Sequence, residues 1–310
     1  MLLSRWRSMV SVNTTIRLDR VRVTPSRPGH GVASVGVMTL RVARLTDEYA
    51  ELAEWTGESE EQLRARNDLH EEDRELWLAW DSDRVVGAVH PWLRPDSRSV
   101  LYFDTCRADA YAPLAAVVAG ECYTSVSAAD PLALTALGSV GFSEHRREYT
   151  YEIPVRPIDA PVPSGLRIIT ADATELEPLM MLDCALREDV AGSEGWEPDP
   201  VWFREETYDS PFFDPLTYRV ALDGDDYIGL ARIWNGPRPL PRLGLVGVLA
   251  RYRRRGLARA LIAHAVLPLV ERGAAVVQAE ADASSVEANA LLTGLDGTIV
   301  STTVELRRPA

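Results

Sequence analysis

Two copies of one pattern run through the chain, and this limits its possible folds more than any other feature. LAWDSDRVVGAV from Leu78 and VALDGDDYIGLA from Val220 each read as an apolar strand, an Asp-rich turn and a second strand. Gly87 and Gly229 occupy the same place, 142 residues apart, as expected of a β-hairpin. Upstream, LRVARLTDEYAELAE from Leu40 matches LRIITADATELEPLM from Leu166, each a strand followed by a Thr- and acid-rich helix start. Downstream, ECYTSVSAADPLALTALGSVGF from Glu121 and VQAEADASSVEANALLTGLDGT from Val277 share the order strand, capped helix, glycine, final strand. Three matches in one order indicate a duplicated α/β unit.

Between the copies lies IPVRPIDAPVPSG, whose prolines block both helix and sheet pairing. The chain divides accordingly into a first domain at 38–152, a Pro-rich linker at 153–164 and a second domain at 165–310. Residues 1–37 hold six Arg, one Asp and no core pattern; they read as disordered or as a non-native start. In the second domain, strands are predicted near 166–170, 217–222, 226–234, 243–250, 276–281 and 298–306. Long helices are predicted near 172–190, 255–272 and 285–295, with a shorter one at 198–208.

The 310 residues, 46% hydrophobic, suffice for two cores, and no apolar run reaches membrane-spanning length. A net charge of −13 argues against a general nucleic-acid binder and favours cationic small molecules. All 33 basic residues are Arg, so no lysine serves as a Schiff-base nucleophile. Cys106, Cys122 and Cys184 show no CxxC spacing, which points to a reducing, cytoplasmic setting without a zinc site.

Against this acidic background stands VGVLARYRRRGLARALIAHAV, Val246–Val266. A run apolar on both faces precedes the arginines, and an amphipathic helix follows. Gly256 stands at the helix entrance, where a missing side chain lets a ligand approach the backbone. Free N–H groups of a first helical turn, with the helix dipole behind them, hold an anion without a Walker lysine. Neighbouring guanidiniums add attraction and bidentate contacts.

RRRGLA resembles the Arg/Gln-x-x-Gly-x-Gly/Ala pyrophosphate loop of the GNAT superfamily of acyl-CoA N-acyltransferases, and residues 165–308 resemble that family throughout. The resemblance implies a mixed α/β sheet in two tandem GNAT-like acyltransferase domains, with acetyl-CoA as co-substrate, no metal and a small primary amine as acceptor. It implies that the backbone of Val246 and Val248 binds pantetheine between splayed strands. Arg253, Arg254, Arg255, Gly256, Leu257 and Ala258 would cradle the pyrophosphate.

Some positions depart from the family. Leu292 falls where many members carry a tyrosine acid, and the strands YIGLARIW and LGLVGVLA contain no acid. Gln278, Glu280 and Asp282 share one face of VVQAEADA, and Glu280 is the candidate base. Seven acids between Glu194 and Asp214, interleaved with aromatics that include Trp196, suggest an acidic mouth for a cationic acceptor. Glu205, Glu206 and Trp202 are its candidate contacts. Ser285 reads as an N-cap and His264 as packing. The first domain's junction, FDTCRADAYAPLAAVV, has no loop glycine, carries Asp104 and Asp109, and places Pro113 in the helix. That half is expected to be degenerate. An acyl-CoA-binding regulator without turnover is the alternative function.

Overall fold

The computed structural model describes residues 40–68, 75–94, 97–193, 197–236 and 239–310. The segment 1–37, Glu194 and Trp196 lie outside the described residues. The first half runs β1 (Arg41–Arg44), α1 (Tyr49–Thr56), α2 (Glu60–Asp68), β2 (Trp77–Asp81), β3 (Arg84–Leu93), β4 (Ser99–Cys106), α3 (Tyr111–Ala115), β5 (Cys122–Ser127), α4 (Pro131–Gly138) and β6 (Ser143–Pro154). The second repeats the order with β7 (Leu166–Thr170), α5 (Leu176–Arg187), α6 (Pro200–Thr207), β8 (Tyr218–Asp223), β9 (Asp226–Trp234), β10 (Arg242–Val248), α7 (Leu257–Glu271), β11 (Val276–Asp282), α8 (Val286–Thr293) and β12 (Thr298–Arg308).

The duplication is visible residue by residue. The hairpin turns hold Ser82 at φ 59° and Gly224 at φ 58°, 142 positions apart. Asp130 caps α4 by accepting from the N–H of Ala133 at 3.0 Å, and Ser285 caps α8 by accepting from that of Ala288 at 3.3 Å. Both hairpins form, β2 with β3 and β8 with β9, and Gly87 and Gly229 lie in their second strands, where a helix presses on the strand. A Cβ at Gly87 would meet Leu114 of α3 at 3.2 Å, and one at Gly229 would meet Leu261 of α7 at 3.3 Å and the Gly247 carbonyl oxygen at 2.9 Å.

All the strands join one mixed sheet in the order β1-β2-β3-β4-β5-β12-β6-β11-β10-β9-β8-β7. Only β4/β5 and β10/β11 pair in parallel. The two halves exchange their last strands. β6, which precedes the linker, lies antiparallel to β11 over Val276↔Pro154 to Asp282↔Glu148. β12 pairs with β5 over Thr303↔Ser127 to Arg308↔Cys122. Ile153 and Pro154, grouped with the linker by composition, are the last residues of β6. The periodicity of β6 explains its place: Tyr151 and Ile153 enter the core under α7 and α8, while Arg146, Glu148, Thr150 and Glu152 point to the opposite face. Leu257, Leu261, Ile262, Ala265 and Leu269 of α7 fill one face of the second half. Leu179, Leu182 and Leu186 of α5 with Phe203 of α6 fill the other.

The halves differ in length at two places. Equivalent residues, matched by their strand pairings, are 126 apart at β1 and β7 (Arg41 and Arg167), 142 apart from β2 and β8 (Trp80 and Leu222) to β4 and β10, and 155 apart at β5 and β11 (Ser127 and Asp282). Thirteen residues are therefore missing from the first half between β4 and β5. Correspondingly, α3 has 5 residues and α7 has 15.

Candidate active site

β10 pairs with β9 as far as Val248↔Gly229, but it meets β11 only at Arg242↔Gln278 and Leu243↔Ala279. Beyond Leu243 the two strands diverge. A register shift between Leu243 and Val246 marks a bulge that bends β10 away. The N–H of Leu249 donates to the Ile228 carbonyl at 2.9 Å. Bonding alternates along an antiparallel ladder, so Gly247 also faces β9. The N–H and C=O of Val246 and Val248 therefore face the opening.

At the mouth of this opening the chain turns at Ala250–Tyr252 and enters α7. Arg254 has φ 64° and Gly256 has φ 82°. Gly256 is the N-cap and supplies no side-chain cap, and the first intrahelical bond runs from the Ala260 N–H to the Gly256 carbonyl at 3.0 Å. The N–H groups of Leu257, Ala258 and Arg259 are those the helix leaves free. A Cβ built at Gly256 meets no atom within 4 Å, so the space before the helix end is open.

The arginines divide their tasks. Arg253 is a strut: its Nε donates to the Val248 carbonyl at 2.8 Å, and it forms an ion pair with Asp189 beyond α5. Arg255 donates to the Arg251 carbonyl at 3.2 Å. Arg254 is exposed and has no partner among the described residues. Tyr252 is buried beneath the loop, its hydroxyl 2.8 Å from Asp223. Leu257 is buried, leaving its backbone as its available contact.

On the face opposite α7, β11 and β6 form a polar floor. Glu280 forms an ion pair with Arg242 at the point where the strands separate. Arg146 lies 3.2 Å from Glu148, 3.2 Å from Glu305 and 3.7 Å from Asp282. Burial opposes the charge of Arg146, but Glu305 and then Glu148 outweigh it and raise its pKa. Glu148 itself is raised, first by burial and then by the like charge of Glu280; Arg146 only partly offsets this. Gly192, after α5, lies against this floor. A Cβ at Gly192 would lie 3.0 Å from the Arg146 guanidinium, and Arg94 of the first half donates to the Gly192 carbonyl at 3.4 Å. Glu148 and Arg146 escape a reading that seeks the site within 165–310, although their alternation with Tyr149 and Tyr151 was a visible signal of a two-faced strand.

The acids of the acid-rich segment divide their tasks. Asp199 caps α6 by accepting from the N–H groups of Val201 and Trp202, and Asp214 accepts from the Leu216 N–H and pairs with Arg272. Glu206 is buried, and its carbonyl accepts from Arg232 at 2.7 Å. Trp202 packs against the α5–α6 core, and Glu205 is half-buried beside it. Asp199 and Asp214 thus hold the starts of α6 and of the turn at Pro215–Thr217. Arg232 is buried against the ring of Trp234, and desolvation brings its pKa down to about 10. Leu292 is buried in the α7–α8 core, where it offers no acid. His264 is half-buried on α7. Among the described residues, no group of three or more His, Cys, Asp or Glu is arranged to hold a metal, and no helix is long and apolar enough to cross a membrane.

The pattern of the Acetyltransferase (GNAT) family matches residues 183–294, from the middle of α5 to the end of α8. No curated protein sequence matches the chain. A GCN5-related N-acetyltransferase from Sphaerobacter thermophilus is similar in structure, with a TM-score of 0.66 at 17% identity, over 87% of this chain and 96% of that one. A tandem GNAT protein from the clavulanic acid biosynthesis pathway gives 0.60 at 14% identity, over 87% and 98%. A glucosamine N-acetyltransferase region of a fungal multi-domain β-N-acetylglucosaminidase gives 0.62 at 13% identity, over 88% of this chain and 38% of that one. The chain has the fold of the GNAT acetyltransferases, and its residues 183–294 carry that family's sequence pattern.

Proposed function

We propose that the second half is an N-acyltransferase that moves an acetyl group from acetyl-CoA to a primary amine of a small cationic acceptor. The observation that carries this is the opening between β10 and β11, which ends at an uncapped helix N-terminus with free space before Gly256. Pantetheine would lie along the edge of β10 at Val246 and Val248, where the Val248 carbonyl also accepts from Arg253. The pyrophosphate would meet the N–H groups of Leu257 and Ala258, with Arg254 and Arg255 beside it. This shares the donor's negative charge among backbone dipoles and cations and leaves the thioester near the apex of the opening. An amine held beside Gly192 attacks the thioester carbonyl from the polar floor. Four acids there, Glu148, Glu280, Asp282 and Glu305, face Arg146 and Arg242, and Glu152 accepts from Gln278; this excess of acids favours a cationic acceptor.

The first half is proposed to bind no donor. Its corresponding helix is short, and Arg107 at the junction is held by Asp81 at 2.8 Å and by Asp109 at 2.6 Å. The buried Leu292 favours a second reading, an acyl-CoA-binding regulator without turnover, since no tyrosine is available there to protonate the thiolate. Calorimetry with acetyl-CoA, followed by thiol release across a panel of amines, decides between them. Binding with release supports transfer, binding without release supports the regulator, and no binding refutes both.

A further inference from the structure

Strand exchange places a first-half side chain among the groups of the second half's site. β6 is bonded along β11, so Glu148 lies opposite Asp282 and two residues along the strand from Thr150, which faces Glu280. Its side chain is 29% exposed, on the face against which Gly192 lies. Four charged groups surround it besides Glu280: Arg146 on its own strand, Asp282 on β11, Arg242 on β10, and Glu305 on β12, which shares Arg146. Glu280 is already committed to Arg242. Arg146, which pairs with Glu148, is shared with Asp282 and Glu305.

We propose that Glu148, delivered by the exchanged strand, is the general base that deprotonates the acceptor ammonium, and that the first half is thereby part of the active site. This rests on the transferase reading above. The Glu148 carboxylate takes one proton from R–NH3+, and the resulting R–NH2 attacks the thioester carbon. The C–N bond forms as the C–S bond breaks. The departing thiolate takes the second nitrogen proton to become CoA–SH, and the amide keeps the third. Glu148 returns its proton to water. A carboxylate held above its ordinary range by burial and a like charge is a stronger base than a solvated one. Glu280 maintains that field while its own charge is held by Arg242.

The pseudo-symmetric position offers an internal comparison. At the first half's own opening, between β4 and β5, the residues equivalent to Glu148, Glu280 and Asp282 are Thr303, Ser125 and Ser127, by their matching pairings. At these three positions the first half's opening carries no carboxylate.

The test uses the full chain with acetyl-CoA, and spermidine, glucosamine and ethanolamine as probe amines. Glu148→Gln should lower kcat/KM by roughly 10²–10³-fold, leave acetyl-CoA affinity within twofold, and remove the rising acid limb of the pH–rate profile. Glu148→Asp should restore that limb at reduced rate, an outcome a merely structural role would not produce. Turnover and pH profile unchanged in a folded Glu148→Gln variant would overturn the assignment while leaving the transferase reading intact. Acetyl-CoA binding by the wild-type chain with no thiol release for any amine would overturn both.

Discussion

Gly256 separates a ligand site from a solvated turn more cleanly than the arginines do. Gly256→Glu places a side chain where a Cβ meets nothing, so the structural cost is conformational, not steric. The residue sits at φ 82°, and a left-handed conformation costs an L-residue about 1–2 kcal/mol. A carboxylate at a helix N-terminus returns about 0.3–1 kcal/mol, so the net loss of stability should be no more than roughly 2 kcal/mol. The effect on binding should be larger. A carboxylate about 5 Å from one phosphate charge is repelled by about 1–3 kcal/mol at effective dielectric constants of 80 to 20. That corresponds to about a five- to 150-fold weaker Kd, before the side chain's bulk adds to it. Denaturant unfolding gives the first number and calorimetry with acetyl-CoA the second. Unchanged affinity in a folded variant would falsify the pyrophosphate assignment and return the loop to a charged turn.

Calorimetry on the wild-type chain should find one acetyl-CoA site; a stoichiometry of two would show that the short α3 suffices. Residues 165–310 expressed alone should fail to give a folded monomer, because β11 loses its partner and Tyr151 and Ile153 leave the core, each burial worth about 1.5–3 kcal/mol. Supplying residues 38–164 in trans should restore it, and a folded, CoA-binding monomer without them would refute the interlock. His264 has its pKa lowered, first by burial and then by Arg219, so its neutral form is favoured in the fold. That contribution is complete above its ordinary value of 6.5 and is lost as pH falls below it. His264→Gln should therefore reduce the difference in unfolding free energy between pH 7.5 and pH 5, and an unchanged difference would refute this.

The elements of the second half were legible because each had a local cause. Asp223–Asp226 closes a hairpin, Ser285 caps a helix, and the apolar spacing of α7 survives even with Pro268 inside it. Alternation made both faces of β11 readable, so the shared face of Gln278, Glu280 and Asp282 was legible. The exchange of β6 and β12 was not legible, because both strands alternate alike and either would satisfy the edge of β11. Which one does so depends on the paths of the linker and of the α8–β12 turn, and local pattern does not encode that competition. The separate tasks of the acids in the acid-rich segment were not legible either. Asp199 and Asp214 act as caps at a range of two or three residues, and a count of charges cannot distinguish a cap from a ligand contact.

The exchange also gives a physical reason for the shape of the first half. It has thirteen fewer residues at the helix where the second half would meet its donor, yet its sheet is complete. β5 must remain to bind β12, and β12 must remain to bind β6. β6 in turn supplies the neighbour of β11 and the charged groups of the polar floor. Loss of α3's outer turns removes a ligand site and little else. Loss of any one of those strands would strip backbone partners from a neighbour inside a continuous sheet, and each buried group so exposed costs about 1–3 kcal/mol. Sequence drift toward a short α3 is therefore tolerated, whereas drift that weakens β5, β6 or β12 reaches the second half's site directly. The half proposed to lack a donor is tied to the proposed catalytic half through the order of its strands and not through a docked surface.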